Sequence, residues 1–145
     1  MLQKLRERSG SESGFTLVEL LVVMLILGIL AAIAIPAFFT QRDKAKDADA
    51  KASVRTSQTA IETFATDQSD GSYAAADGDP AALQTIEPTL NDPPGNSLTV
   101  AAGADTYTLT VAAVDTGNTF TITRNAGGSS TRTCTGDGGC SGGTW

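Results

Sequence analysis

The chain has 145 residues, with 10 basic and 16 acidic side chains, a formal net charge of −6 and no histidine. The negative charge disfavours non-specific binding to nucleic acid or to anionic lipid. Without histidine there is no Ser-His-Asp or Cys-His arrangement, so the common nucleophilic catalytic sites are excluded.

The first predicted element is a membrane-spanning helix over residues 15–39. Within the run from Phe15 to Phe39 the only charged residue is Glu19, and the twenty residues from Leu20 onward carry no charge. A helix of that length is about 30 Å long, which matches the hydrocarbon core of a bilayer. The preceding basic residues favour a cytoplasmic N-terminus; they are Lys4, Arg6 and Arg8.

Placing the charged side chain of Glu19 in the membrane costs free energy. An ionised carboxylate at membrane depth costs at least about 2.5–3.5 kcal/mol, so such a residue usually has a function and a partner. We therefore take Glu19 as the first candidate functional residue.

The segment GFTLVELLVVMLILGILAAIAIPAF, residues 14–38, resembles the class III signal segment of type IV prepilins. The resemblance implies that a membrane-embedded prepilin peptidase cuts after Gly14 and that Phe15 becomes an N-methylated N-terminus. It implies that Glu19 pairs with a terminal ammonium during assembly. It also implies that the helix is extended between its weak points, Gly28 and Pro36, in the filament. Residues 1–14 are then a leader peptide.

Two other interpretations of this segment compete with the prepilin one. Ala32-Ile33-Ala34 has the A-x-A form of a secretory cleavage site, but the apolar run before it is longer than the usual 7–15 residues and contains Glu19. An uncut single-pass anchor would satisfy the length of the run. Neither alternative explains a glutamate near the start of the span.

Residues 40–70 are predicted to form an amphipathic helix. They lack proline and glycine and are rich in alanine, which favours helix. Asp47 and Lys51 are spaced as a favourable i,i+4 ion pair, and Gly71 suits the C′ position beyond the helix. The apolar stripe is predicted to consist of Ala50, Val54, Ser57, Ile61, Phe64 and Ala65.

Residues 71–145 are predicted to contain a variable connector, an antiparallel sheet and a C-terminal loop. In the connector, Asp79 can cap a short helix that begins with Pro80. Apolar residues then alternate with threonine over residues 97–124, which predicts a three-stranded meander, and Thr131-Arg132-Thr133 adds a possible fourth strand. The whole chain is thus predicted to have an α+β fold, a long helical stem packed on a small sheet of three to four strands.

Cys134 and Cys140 are the only cysteines, and in an exported chain we expect them to form a disulfide. Two thiols without histidine fall short of the four ligands of a structural zinc site. The aspartates near glycine and proline, such as Asp77 and Asp79, fit turns and caps better than a calcium loop. We predict no metal and no cofactor.

The sequence therefore predicts a non-enzymatic subunit of a type IV pilus-like filament. Its expected partners are further copies of itself, the prepilin peptidase and an assembly platform in the inner membrane, and nucleic acid is disfavoured. We expect the subunit in the cytoplasmic membrane before assembly and in an extracellular pilus afterwards.

Two alternatives share the same N-terminal motifs. The first is a pseudopilin of a type II secretion system; the expected disulfide argues against it, because the resemblance implies a calcium site in its place. The second is a membrane-anchored competence pilin that captures DNA. Only Arg124 and Arg132 are basic beyond residue 55, which is weak support for that role.

Overall fold

The computed structural model describes residues 14–145, so the predicted leader peptide lies outside the described residues except for Gly14. The chain divides after Phe38 into two compact units. Helix α1, Leu17–Asp67, carries residues of both units. The remaining helix is α2, Pro80–Ile86, and the strands are β1, Thr99–Ala102; β2, Tyr107–Ala112; β3, Thr119–Arg124; and β4, Ser130–Thr135.

In the first unit, the described residues belong mainly to the N-terminal part of α1. Its large apolar side chains are all at least 47 % exposed, and the helix is long and apolar enough to cross a membrane. Among the described residues of this unit, 14–38, none covers the apolar surface. A surface of this kind is typical of a membrane or protein contact.

In the second unit, an antiparallel sheet with strand order β1-β2-β3-β4 packs against α1, which confirms the predicted α+β fold. Leu109 pairs with Ile122 and Val111 with Phe120, so apolar side chains fill the inner face. Burying each contributes about 1.5–3 kcal/mol. On the opposite face threonines stand side by side, and the hydroxyl oxygens of Thr110 and Thr121 lie 2.9 Å apart.

The helix stripe that covers the sheet is the predicted one. Ala50, Val54, Ser57, Ile61 and Ala65 are buried, and Phe64 is partly buried against the same core. The helix ends at Asp67, however, and Gly71 lies in the turn that follows rather than at C′, with a φ of 67°. The prediction for Gly71 was wrong because the chain makes a further turn, in which Gly71 N donates to Gln68 O at 3.2 Å, after the helix.

The connector contains the predicted short helix α2, in which the Asp79 carboxylate accepts a hydrogen bond from Ala81 N at 3.1 Å. Leu83 of this helix is buried in the core. Three short 3₁₀ turns that the sequence analysis did not predict also lie here: Ala74–Ala76, Pro88–Asn91 and Gly95–Ser97. The fourth strand is longer than predicted, because β4 pairs with β3 along its whole length.

The predicted ion pair between Asp47 and Lys51 is wrong. Asp47 is 1 % exposed, and its carboxylate accepts hydrogen bonds from Thr116 Oγ1, Asn118 Nδ2 and Gly139 N, each at 2.9 Å. Lys51 instead donates to Gly139 O at 2.6 Å. Charge-assisted hydrogen bonds to preorganised donors outcompete an exposed ion pair, which contributes little.

Asp47 therefore fastens the C-terminal loop to the helix. Asn118 connects the same loop through its amide, which donates to Asp137 O at 2.6 Å and accepts from Asp137 N at 3.2 Å. A Cβ on Gly139 would overlap the Asp47 carboxylate, so the loop can approach only because residue 139 is glycine. Cys134 and Cys140 close this loop in the expected disulfide, with Cα atoms 5.6 Å apart.

We predict that Asp47→Ala lowers the free energy of unfolding of the second unit by about 3 kcal/mol, because it leaves buried donors without an acceptor. Asp49→Ala is the matched control, since Asp49 is exposed on the same helix. Denaturant unfolding of the chain in detergent, followed by Trp145 fluorescence, measures both. Equal stabilities of the two variants would contradict the role of Asp47.

A second polar cluster surrounds Glu62. Its carboxylate accepts from the hydroxyls of Tyr73 at 2.7 Å and Tyr107 at 2.8 Å and from Arg124 Nη1 at 3.3 Å. The two tyrosine rings meet edge to face, with centroids 5.0 Å apart. Burial, together with the hydrogen bond to Glu62, raises the pKa of Tyr107 to about 12.

The raised pKa of Tyr107 predicts a loss of stability at high pH. Its ordinary pKa is 10.0, so above that value the unfolded chain releases the phenolic proton while the folded chain retains it. The free energy of unfolding should therefore fall as pH rises from about 10 to about 12. Tyr107→Phe should remove part of this fall, whereas an unchanged pH profile would contradict the assignment.

Candidate functional site

The start of α1 is organised by Thr16 and Glu19. Thr16 N and Thr16 Oγ1 both donate to Glu19 Oε2 at 2.9 Å, and Glu19 N donates back to Thr16 Oγ1 at 3.2 Å. This reciprocal arrangement is a capping box, which satisfies two of the backbone donors left free at a helix start. The T-x-x-E spacing of residues 16–19 is the sequence signal for this capping box, which we had not predicted.

The capping box leaves half of the Glu19 carboxylate available. Among the described residues, no hydrogen bond or ion pair is made to Oε1. The neighbouring side chains are apolar and exposed, including Phe15, Val18 and Val23. In an apolar environment, a carboxylate with only hydroxyl and amide donors still lacks a positive charge to balance its own.

The predicted cleavage position lies just before this helix. Gly14 and Phe15 precede α1, and Phe15 is 80 % exposed. A Cβ on Gly14 would have no neighbour within 4 Å. The peptide bond between these residues is therefore outside regular structure and accessible from its C-terminal side.

The other predicted site residues lie away from the helix start. Gly28 and Pro36 are both helical within α1, and a Cβ on Gly28 would have no neighbour within 4 Å. The predicted extension between them concerns the assembled filament and stays a prediction. Cys134 and Cys140 belong to the C-terminal loop of the second unit.

Comparisons with known proteins find matches that include this end of the chain. Residues 10–35 match the family profile described as the prokaryotic N-terminal methylation motif. The chain is 34% identical over 121 residues to the type IV narrow pilus major component PilA5 of Thermus thermophilus, covering 83% of this chain and 91% of that protein. The chain therefore belongs to the type IV pilin family.

Other relatives match over shorter stretches. Type II secretion system core protein G of Pseudomonas aeruginosa is 35% identical to this chain over the aligned region. That region covers 59% of this chain and 54% of that protein. The type IV major pilin protein PilA of Myxococcus xanthus is 47% identical to this chain over a shorter aligned region, which covers 35% of this chain and 23% of that protein. No solved structure gives a significant match.

We predict that mass spectrometry of the mature protein finds an N-terminus at Phe15 that carries an added methyl group. Replacing Gly14 with valine should block the cut without disturbing the fold, since its Cβ would meet nothing. A mature chain that begins at Ile35 would instead support the secretory interpretation.

Proposed function

We propose that this chain is a structural, non-catalytic subunit of a type IV pilus-like filament. The observation that carries the proposal is the combination of an uncovered apolar helix with one carboxylate in its first turn. The apolar surface needs a cover, which a bilayer supplies before assembly and the helices of other copies supply afterwards. The near-complete match to a pilus component supports this role.

The proposed sequence of events begins in the cytoplasmic membrane. A prepilin peptidase cuts after Gly14, and the new N-terminus of Phe15 carries a positive charge. An assembly platform then moves the subunit into a growing extracellular filament. In this account the chain contributes no reaction chemistry; it contributes the cleavage junction, the apolar helix and the outer sheet.

The pairing of charges gives the filament its register. The ammonium on Phe15 of one copy lies against the Glu19 carboxylate of a neighbouring copy, where Oε1 is available. Pairing removes the cost of both charges in an apolar core, and any other stagger leaves a charge unpaired. The capping box holds the carboxylate in place before the partner arrives.

A pseudopilin of a type II secretion system is the second candidate. It is favoured by the similarity to core protein G of Pseudomonas aeruginosa, although that match covers about half of each chain. The two candidates predict different experimental results. A pilin gives surface filaments that shearing releases, whereas loss of a pseudopilin abolishes secretion of an exported enzyme.

We predict that Glu19→Ala and Glu19→Gln leave processed subunits in the membrane and reduce sheared filament yield to near zero. Glutamine keeps the shape of the side chain and loses the charge. Thr16→Ala is the matched control, because it removes the hydroxyl of the same capping box and retains the carboxylate.

This control separates assembly from helix capping. The loss of a cap costs about 1 kcal/mol, so Thr16→Ala should still give filaments. Normal filament yield from Glu19→Ala, with the processed subunit at its usual level, would refute the assembly role. Equal failure of Thr16→Ala would assign the defect to the cap and not to the charge.

A further inference from the structure

Trp145 is held against the sheet by a hydrogen bond and by an aromatic contact. The indole Nε1 donates to Thr133 O at 2.9 Å, and the ring meets Phe120 edge to face with centroids 5.8 Å apart. Nearby, Cys134 N donates to Gly143 O at 2.9 Å, so the backbone that leads to Trp145 is also tied to β4. The indole is therefore a defined surface feature rather than a loose end.

Two guanidinium groups lie over this one ring. Arg55, from α1, is 5.0 Å from the ring centroid, and Arg132, from β4, is 5.6 Å from it. Both arginines are exposed. We call Arg55, Arg132 and Trp145 the arginine patch. Lys51, one helical turn before Arg55, lies over the adjacent ring of Phe120 at 5.1 Å.

Among the described residues, no carboxylate forms an ion pair with the arginine patch. Over residues 14–145, neither Arg55 nor Arg132 has a carboxylate within 4.0 Å, whereas Arg42 and Lys46 both pair with Asp115 and Arg124 pairs with Glu62. Two like charges against one ring repel each other, and both arginine side chains are exposed to solvent. Guanidinium groups suit bidentate contacts with carboxylates.

We propose that the arginine patch binds acidic side chains on a neighbouring copy of this chain in the filament. The inference rests on the proposed function. Cleavage at Gly14 removes three cations and two acids from a chain of net charge −6, so the mature subunit is more negative still. In a filament such subunits repel one another unless uncompensated cations lie where copies meet.

The same charge argument makes nucleic acid the less suitable occupant, because the surrounding negative field opposes a polyanion in solution. A second copy presents carboxylates at a fixed, high effective concentration. Its exposed aspartates include Asp105, in the turn between β1 and β2, and Asp77 of the connector, whose carboxylate accepts a hydrogen bond from Ala102 N at 2.8 Å beside that turn; neither takes part in an ion pair among the described residues. We assign this acidic turn as the partner surface.

Charge reversal in the full chain tests the contact. Arg55→Glu with Arg132→Glu should lower sheared filament yield at least about tenfold while leaving processing and membrane level unchanged, because attraction becomes repulsion at every repeat. The side chains of both arginines are exposed and make no hydrogen bond or ion pair among the described residues, so the subunit should still fold. Arg55→Lys with Arg132→Lys should retain filaments, but ones that dissociate at lower salt than wild type.

Matched variants sharpen the result. Lys44→Glu changes the charge of the same helix by the same amount as Arg55→Glu, and it should retain filaments because Lys44 is not part of the arginine patch. Asp105→Arg should restore filaments to the doubly reversed chain, since Asp105 is exposed and accepts no hydrogen bond from the described residues. Restoration would establish the contact between copies.

Three outcomes would overturn the inference. Normal filament yield from the doubly reversed chain would do so, and so would an equal loss from Lys44→Glu. Normal yield combined with lost binding of duplex DNA to sheared filaments would assign the arginine patch to nucleic acid instead. Absence of filaments from the wild-type chain would contradict the proposed function itself and is thereby distinguishable from failure of this contact.

Discussion

Helix α1 carries two apolar surfaces, and among residues 14–145 only one of them is covered. Residues 50–65 bury a stripe against the sheet, whereas the large apolar side chains nearer the N-terminus stay exposed. At roughly 25 cal/mol per Å² of apolar surface, exposure on this scale is not tolerated in water. No described residue covers the second surface, and in the proposed filament the single carboxylate within it selects which arrangement of covering helices is stable.

The C-terminal part of the second unit depends on the same helix. Its glycine-rich backbone has few apolar side chains, so a packed core cannot hold it. Instead, hydrogen bonds hold the loop that the disulfide closes. The buried carboxylate of Asp47 accepts from the loop backbone and from the Asn118 amide, and that amide also donates to the loop backbone. Trp145 follows this loop and lies against Arg55 and Arg132, which creates a charged surface from residues that are distant in sequence.

Periodicity was sufficient to predict α1, the meander and the stripe of Val54 and Ile61, because helix and strand periods depend on local sequence. The charge within the apolar run selected Glu19 as a candidate, and its role in assembly stays a prediction. Asp47 was misassigned because its i,i+4 spacing to Lys51 satisfied a local rule, while its donors come from residues about 70 to 90 positions away. The arginine patch was missed for the same reason: it requires the register of β4 and the path of the tail.

The central claim is that Glu19 of one copy contacts the Phe15 amine of another. Carbodiimide joins a carboxylate directly to an amine, including a methylated one, only when the two groups touch. Treatment of sheared filaments should give covalent multimers, and mass spectrometry of those multimers should find the Phe15 amine linked to Glu19. A linked peptide found only in monomeric chains, or none at all in intact filaments, would contradict the account.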